Sequence, residues 1–266
     1  EKIHEMLKQP HDKERLSSDI SFVGSLYHEQ HNFYDRIDWT KNPYAEGYVK
    51  GLMDAQKRVN GYNFIEECLT PDILKQLQDL YPLVREEKSV ETEGFRFADY
   101  VINRKLTSLE RNEFLKAFGE RFGQNYAVKL FTIDRDVTYD GVSNMGIAEY
   151  ETEMPYVFYY SKINLNISLR SIKTGIPLRC MDIMASRGFL LTNYQSDFFI
   201  DFIPDEDFVY YESMEDALEK AEYYLSHEKE REAIAENGYR KVKEFFALKD
   251  VLNRMLAIAA KQNGGE

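Results

Sequence analysis

The sequence has little cysteine and no long apolar run, and both shortages argue against whole classes of protein. Cys68 and Cys180 are its only cysteines, far apart in a chain of 266 residues. This argues against a disulfide framework or a zinc site of the CxxC type and favours a reducing compartment. No stretch approaches the roughly 18 apolar residues of a membrane-spanning helix, and no apolar leader opens the chain. We therefore expect a cytoplasmic protein without a transmembrane segment.

Basic residues are also fewer than acidic ones. The chain has 34 Lys and Arg against 46 Asp and Glu, a formal net charge of -12, so nonspecific binding to nucleic acid would work against its mean field. We expect no nucleic-acid partner. The nucleophile and metal motifs GxSxG and HExxH are absent as well, and we expect no metal ion. With 43% hydrophobic and 30% charged residues, the composition is that of a folded globular protein.

What is present is an alternation of apolar strands with amphipathic helices, which predicts a parallel sheet covered on both faces. Residues 30–123 read as mostly helical, too long for a simple crossover, and predict a large helical insertion after the first strand. We therefore predict an α/β fold with a Rossmann-like parallel sheet. The predicted strands are residues 19–27, 126–132, 145–150, 162–169, 188–193 and 208–212, and the predicted helices are 153–161, 177–186, a short one after residue 195, and the chain from 213 onward.

The predicted domain organisation is simple. Residues 1–18 read as a polar leading helix or linker, residues 19–262 as one Rossmann-like domain including the insertion, and residues 263–266 as a tail. The first residue is not Met, so the chain is interpreted either as a fragment of a longer protein or as the product of processing.

The stretch GIPLRCMD, residues 175–182, places several candidate ligand-binding groups at the start of one helix. Gly175 and Ile176 form a turn before the helix, whose free N–H groups favour a phosphate. Arg179 and Asp182 are three residues apart and share one helix face. They form either an intrahelical ion pair or two parts of a nucleotide-binding site, in which Arg179 neutralises a diphosphate and Asp182 binds ribose hydroxyls.

Further candidates follow the ends of predicted strands. Gly24 and Ser25 form either a phosphate loop or an ordinary turn, because they do not match GxGxxG. His28 and His31 suggest a metal, but no carboxylate cluster follows them, so His28 is interpreted as a polar group that lines a site.

Two candidates have competing structural roles. Tyr150 suits stacking on a base, although it is one of 19 tyrosines. Lys162 begins a buried strand and reaches either a phosphate or solvent.

A longer pattern identifies a family. The segments SKINLNISLRSIKTGIPLRCMDIMASRGFLLTNYQSDFFIDF and YESMEDALEKAEYYLSHEKEREAIAENGYRKVKEFF resemble the nucleotide-binding C-terminal domain of group 1 glycosyltransferases of the GT-B fold. The nearest relatives are the spore-maturation-like glycosyltransferase proteins. The similarity covers residues 145–255, and DISFVGSLYHEQHNFYDRI resembles the first strand of the same domain.

This resemblance implies a function and a partner. The chain would be the donor-binding half of a GT-B enzyme that transfers a sugar from a nucleoside-diphosphate sugar, with no further cofactor. An acceptor domain, often carrying the catalytic base, would precede it in the same protein. Arg179 would be the catalytic group, stabilising the departing diphosphate. The other implied contacts are Asp182 to ribose, Gly175 and Ile176 to the diphosphate, Tyr150 near the base, and Gly24 and Ser25 on the phosphate side.

The chain also departs from the family pattern. Thr174 stands where many retaining relatives carry a second Glu that contacts the donor sugar, and residues 186–188 are less glycine-rich than usual. The loop after the first strand lacks the expected basic residue. These departures favour the alternative of a noncatalytic Rossmann-like module for protein interaction or structure, whereas Arg179 and Asp182 favour the enzyme.

Overall fold

A six-stranded sheet forms the centre of the structure, a computed structural model that describes residues 2–28, 32–83, 90–246 and 248–263. The strands are β1 (Ser18–Val23), β2 (Val128–Phe131), β3 (Val142–Asn144), β4 (Ser161–Asn166), β5 (Leu190–Asn193) and β6 (Val209–Tyr211). Their order is β3-β2-β1-β4-β5-β6, and all neighbours are parallel. The order reverses between β1 and β4, as in a Rossmann-like fold, so the predicted fold class is confirmed.

Helices cover both faces of the sheet and fill the connection from β1 to β2. Within the described ranges, none of them is long and apolar enough to cross a membrane. They are α1 (Lys2–Met6), α2 (Lys13–Leu16), α3 (Pro43–Gln56), α4 (Ile65–Cys68), α5 (Pro71–Leu80), α6 (Glu93–Arg96), α7 (Asn103–Phe122), α8 (Met154–Tyr160), α9 (Leu178–Ala185), α10 (Phe198–Asp201), α11 (Met214–Ser226), α12 (Glu228–Phe245) and α13 (Leu248–Asn263).

Two hydrophobic cores hold the helices against the sheet. On one face α7 and α11 pack on the strands, and on the other α8 and α9 do so. The strands supply apolar side chains to both sides, as expected for a parallel sheet buried on both faces. Representative buried residues are Phe118, Ala221, Leu130 and Ile163 in the first core, and Phe158, Ile183, Phe131 and Leu190 in the second.

The helical insertion after β1 is present as predicted and has a third core of its own. Helices α3 to α6 and a π-helical segment (Phe97–Ile102) enclose buried side chains such as Val49, Leu77 and Phe97. Helix α7 then returns the chain to the sheet and ends just before β2. The insertion is therefore a small helical subdomain, and α7 belongs both to it and to the sheet.

Polar contacts seat this subdomain on the carboxyl edge of the sheet. The Nε of Arg170, in the loop after β4, donates to Glu110 of α7 at 2.8 Å. Lys173, in the same loop, pairs with Glu66 of α4 at 2.9 Å. The insertion therefore covers the part of the carboxyl edge of the sheet where β4 and β5 end.

Two predicted elements differ from the structure. The leading helix over residues 1–18 is two short helices, α1 and α2. Pro10 lies in the connection between them, and Asp12 caps the second by accepting from the N–H of Arg15 at 2.9 Å. The strand predicted at 145–150 is wrong: β3 ends at Asn144, and Gly146 has φ +73°, outside the extended region. Of the predicted tail, residues 264–266 lie outside the described residues.

We expect Gly119→Ala to destabilise the fold, because the new Cβ would lie 2.1 Å from the Asp140 carbonyl oxygen at the contact between α7 and the β2–β3 connection. Overpacking of this kind costs about 1–3 kcal/mol in the free energy of unfolding. Gly51→Ala is the matched control, because nothing lies within 4 Å of its Cβ and the change should stabilise α3 by about 0.5–1 kcal/mol. Urea unfolding of the three proteins measures both effects, and equal midpoints would contradict the packing of α7.

Candidate functional site

The carboxyl edge of the sheet, between β1 and β4, is where a Rossmann-like fold places a ligand. The two strands are adjacent, but the chain leaves them toward different parts of the sheet, and at such a point this class of fold forms its ligand crevice between the following loops. The loops here are residues 24–28 after β1 and residues 167–177 after β4.

A buried arginine lies at the base of this crevice. Arg111 of α7 donates from Nε and Nη2 to the Ile167 carbonyl at 3.1 and 2.6 Å, and from Nη1 to the Ser25 carbonyl. The residue is 8% exposed. Its guanidinium therefore bridges the ends of the two strands that flank the switch point.

Arg111 has no carboxylate partner within ion-pair distance in the described part of the chain. Burial lowers the pKa of its guanidinium, the charge of Arg179 lowers it further, and Tyr27 opposes the shift. The guanidinium carbon lies 4.9 Å from the centre of the Tyr27 ring. The crevice thus contains a positive charge that the protein itself compensates mainly with carbonyl dipoles and an aromatic face.

Sequence reasoning did not single out Arg111. The available signal is its position on α7, four residues before Leu115 and seven before Phe118, which are both buried. An arginine on the buried stripe of an amphipathic helix requires an internal partner. Nothing in the sequence shows that this partner is the pair of strand ends.

Arg179, Asp182 and Tyr150 are brought together as predicted for neighbours in a site. Nη1 of Arg179 lies 3.4 Å from Oδ2 of Asp182, and the Tyr150 hydroxyl donates to Oδ1 of Asp182 at 3.1 Å. Arg179 also lies over the Phe158 ring, 5.5 Å from its centre, and its Nη1 contacts the sulfur of Met154. The intrahelical ion pair that the spacing allows is therefore present.

This group is neither fully exposed nor sealed. The side chains of Arg179 and Asp182 are 27% and 28% exposed. Burial lowers the pKa of Arg179, with Asp182 opposing the shift, and the charge of Asp182 raises the pKa of Tyr150. Asp182 and Tyr150 line a cavity of about 240 Å³ whose apolar wall includes Phe158. An ion pair at the edge of such a cavity is accessible to a ligand.

The turn before α9 has a different environment from the one predicted. Gly175 adopts φ +85°, and its N–H donates to the carboxylate of Asp197, which follows β5. Thr174 is exposed, and Ile176 packs against the second core. The N–H assigned to a diphosphate is thus already bonded to an anionic side chain.

The loop after β1 is bonded within the protein. The N–H groups of Gly24, Leu26 and Tyr27 donate to the Phe131 carbonyl at 3.0 Å, to Oδ2 of Asp134 at 3.2 Å and to the Ser25 hydroxyl at 3.0 Å. This geometry matches an ordinary turn better than a phosphate loop. Of the two readings that the sequence left open for Gly24 and Ser25, the structure favours the turn.

Two predicted site residues lie elsewhere. Lys162 is the second residue of β4 and pairs with Asp19 of β1 at 2.7 Å, so it lies at the amino edge and its predicted place in this site is wrong. His28 contacts Asn112 of α7 and lines a separate cavity of about 700 Å³. His31 lies outside the described residues.

Comparison with known proteins finds a family for this chain. A family model described as glycosyl transferase-like matches residues 108–257, more than half of the chain. Among solved structures, a glycosyltransferase from Rickettsia africae ESF-5 is similar, with 13% identity and a TM-score of 0.46 over 79% of this chain. The chain spans 57% of the length of that protein. None of the curated proteins matches.

Cys180 tests the position of α9 directly. Burial raises the pKa of its thiol to about 12, so the thiolate is scarce at neutral and mildly alkaline pH and the residue should not react with a chromogenic disulfide reagent. Cys68 is partly exposed and should react. We expect one rapid thiol in the native protein and two in denaturant, with the rapid one lost in Cys68→Ser. Rapid reaction of Cys180 in the native protein would contradict the packing of α9.

Proposed function

Since the chain belongs to the glycosyl transferase-like family, we propose that it is the donor-binding domain of a GT-B glycosyltransferase, similar to the spore-maturation-like proteins, whose donor is a nucleoside-diphosphate sugar. The observation that carries this proposal is the buried guanidinium of Arg111, which bonds the Ile167 and Ser25 carbonyls at the ends of β4 and β1, together with Arg179 in the first turn of α9. A diphosphate between them would supply the anionic charge that Arg111 lacks.

The donor inventory of Arg111 supports this assignment. A guanidinium has five N–H donors. Three of them bond the Ile167 and Ser25 carbonyls, the Tyr27 side chain interacts with the same guanidinium, and no carboxylate pairs with it in the described ranges. The family pattern expects a basic residue on the loop after the first strand, and that loop has none. Helix α7 provides the missing positive charge at that loop from the insertion, which weakens the argument for a noncatalytic module.

The proposed mechanism is electrostatic. As the bond from the anomeric carbon to the diphosphate breaks, negative charge grows on the leaving oxygen, and Arg179 with the free N–H groups at the start of α9 would stabilise it. Asp182 would accept hydrogen bonds from ribose hydroxyls, held in place by the Tyr150 hydroxyl. When the diphosphate binds, it would compete with Asp182 for Arg179, whose present pairing is 3.4 Å long.

The remaining features of the proposal concern the sugar contact, the acceptor domain and the compartment. Thr174 in place of a second glutamate leaves the sugar contact without a carboxylate at that position. A separate acceptor domain in the same protein stays a prediction. The two unpaired cysteines are consistent with a reducing compartment and thus with a cytoplasmic protein.

Asp182→Asn tests the ribose contact. If Asp182 binds ribose hydroxyls, the change should weaken nucleoside-diphosphate binding by about 1.5–3 kcal/mol, the usual value of a hydrogen bond to a charged group, or more than tenfold in Kd. Calorimetric titration with uridine, guanosine and adenosine diphosphates measures it. Lys162→Gln, at the opposite edge, is the control and should leave Kd unchanged. Equal affinities of Asp182→Asn and the unaltered protein would reduce Asp182 to an ion-pair partner of Arg179.

Asp197→Asn should act in the opposite direction. Its carboxylate accepts the Gly175 N–H and would repel a diphosphate at the same turn. Removing one negative charge at this partly exposed position should strengthen binding by up to about 1 kcal/mol, or roughly fivefold, in the same titration. The gain should shrink as salt rises, because screening weakens the repulsion. Weaker binding in Asp197→Asn would place the diphosphate away from this turn.

A further inference from the structure

A cavity of about 700 Å³ lies beside His28, apart from the candidate donor site. One wall is α7, which contributes Ser108 and Asn112. The other wall is the loop after β2, residues 133–137. None of its described lining residues also lines the cavity at Asp182 and Tyr150.

The hydrogen-bonding groups of this cavity are fixed in orientation. Nδ2 of Asn112 donates to the Ser108 carbonyl at 2.6 Å, so the amide nitrogen must face that carbonyl, and Oδ1 accepts from the Tyr139 hydroxyl. The same Nδ2 lies 3.0 Å from Nε2 of His28. Because Nδ2 is a donor, Nε2 must accept, and the proton of the neutral imidazole is on Nδ1.

Acceptors are fixed on the opposite wall. Oδ2 of Asp134 accepts from the N–H of Leu26 at 3.2 Å and from the Thr132 hydroxyl at 3.3 Å, which orients the carboxylate. Asp35, which belongs to the helical insertion and not to this wall, pairs with Lys105 of α7 at 2.6 Å. His28, Asn112, Asp134 and Asp35 are thus each held by a polar contact within the protein.

The balance of charge indicates the class of ligand. The described lining has three aspartates (Asp35, Asp134 and Asp136) against Lys105 and Arg135, so it offers no net positive charge to a polyanion. Apart from the imidazole it has no aromatic ring for a nucleobase to stack on. Hydroxyl groups donate and accept at once, so they suit mixed partners of this kind. We propose that this cavity binds a neutral carbohydrate or polyol.

The location suggests a role for that ligand, and this step rests on the proposed function. The loop of residues 24–28 separates the two sites: Arg111 bonds the Ser25 carbonyl on the crevice side, while His28 lines the cavity. A sugar bound here would lie next to the donor, as the acceptor hydroxyl must. The helical insertion would then supply acceptor binding from within this chain.

The test separates the two sites. Methyl α-glucoside is titrated against the protein by ligand-observed NMR, with and without saturating uridine diphosphate, and putrescine and inorganic phosphate are titrated as a cationic and an anionic probe. We expect the glucoside to bind in preference to both, whether or not the nucleotide is present. His28→Ala and Arg135→Ala should each weaken glucoside binding about tenfold and leave nucleotide affinity unchanged. Arg240→Ala, on the exposed side of α12, is the matched control.

Several results would overturn the proposal. These are no glucoside binding, unchanged binding in Arg135→Ala, displacement of the glucoside by the nucleotide, or preference for putrescine or phosphate. Arg135 is exposed and its removal should not affect folding, so this variant stays informative if His28→Ala is unstable. Glucoside binding without nucleotide binding would contradict the proposed function and leave the polyol site standing.

Discussion

The guanidinium of Arg111 is the contact on which the arrangement of the carboxyl edge depends. It bonds the carbonyls of Ser25 and Ile167, the first from the loop after β1 and the second from the loop after β4. In a Rossmann-like sheet these are the two strands whose connections diverge, and their ends have no backbone partner across the crevice. Removing the arginine would take this donor from the buried Ile167 carbonyl, at a cost of about 1–3 kcal/mol, and from the partly buried Ser25 carbonyl. A single side chain thus ties the loop after β1 to the loop after β4.

Arg111 also connects the helical insertion to the sheet. Arg111 lies on α7, and its neighbour Glu110 holds Arg170 in the loop after β4. Consecutive residues of one helix therefore bind the loops on both sides of the switch point. The position of the insertion determines the position of the loop that leads to α9, and so of Arg179. A subdomain that looks peripheral in the sequence is mechanically part of the site.

The sequence predicts the sheet well because its signal is local. Buried strands and amphipathic helices have distinct periodicities, and Gly or Pro marks their ends. It fails at β3, an edge strand whose three residues are only partly buried or exposed and so lack an apolar pattern. The sequence also misplaces Lys162, which lies near the start of β4. The sequence does not show whether the start or the end of this strand faces the site.

Some residues of the candidate site can likewise be predicted from the sequence, and others cannot. Arg179 and Asp182 are predictable because helical spacing alone brings them together. Arg111 is not, since its partners are separated from it by 86 and 56 positions along the chain, and no local pattern encodes such a contact. The carboxylate of Asp197 on the Gly175 N–H belongs to the same class: it requires the ends of β4 and β5 to be neighbours, a fact of sheet order and not of either segment.

Because the chain is acidic, it matters for anion binding that Arg111 is buried. With a net charge of -12, a solvent-exposed arginine would add little attraction for a diphosphate, because solvent and salt screen it and the mean field opposes it. A buried guanidinium acts at a lower effective dielectric, so its attraction for an anion at close range is larger. Its desolvation is already met in the folded protein by carbonyls and the Tyr27 ring. Under the proposed function, the diphosphate would meet this guanidinium at close range, while the acidic surface would repel polyanions.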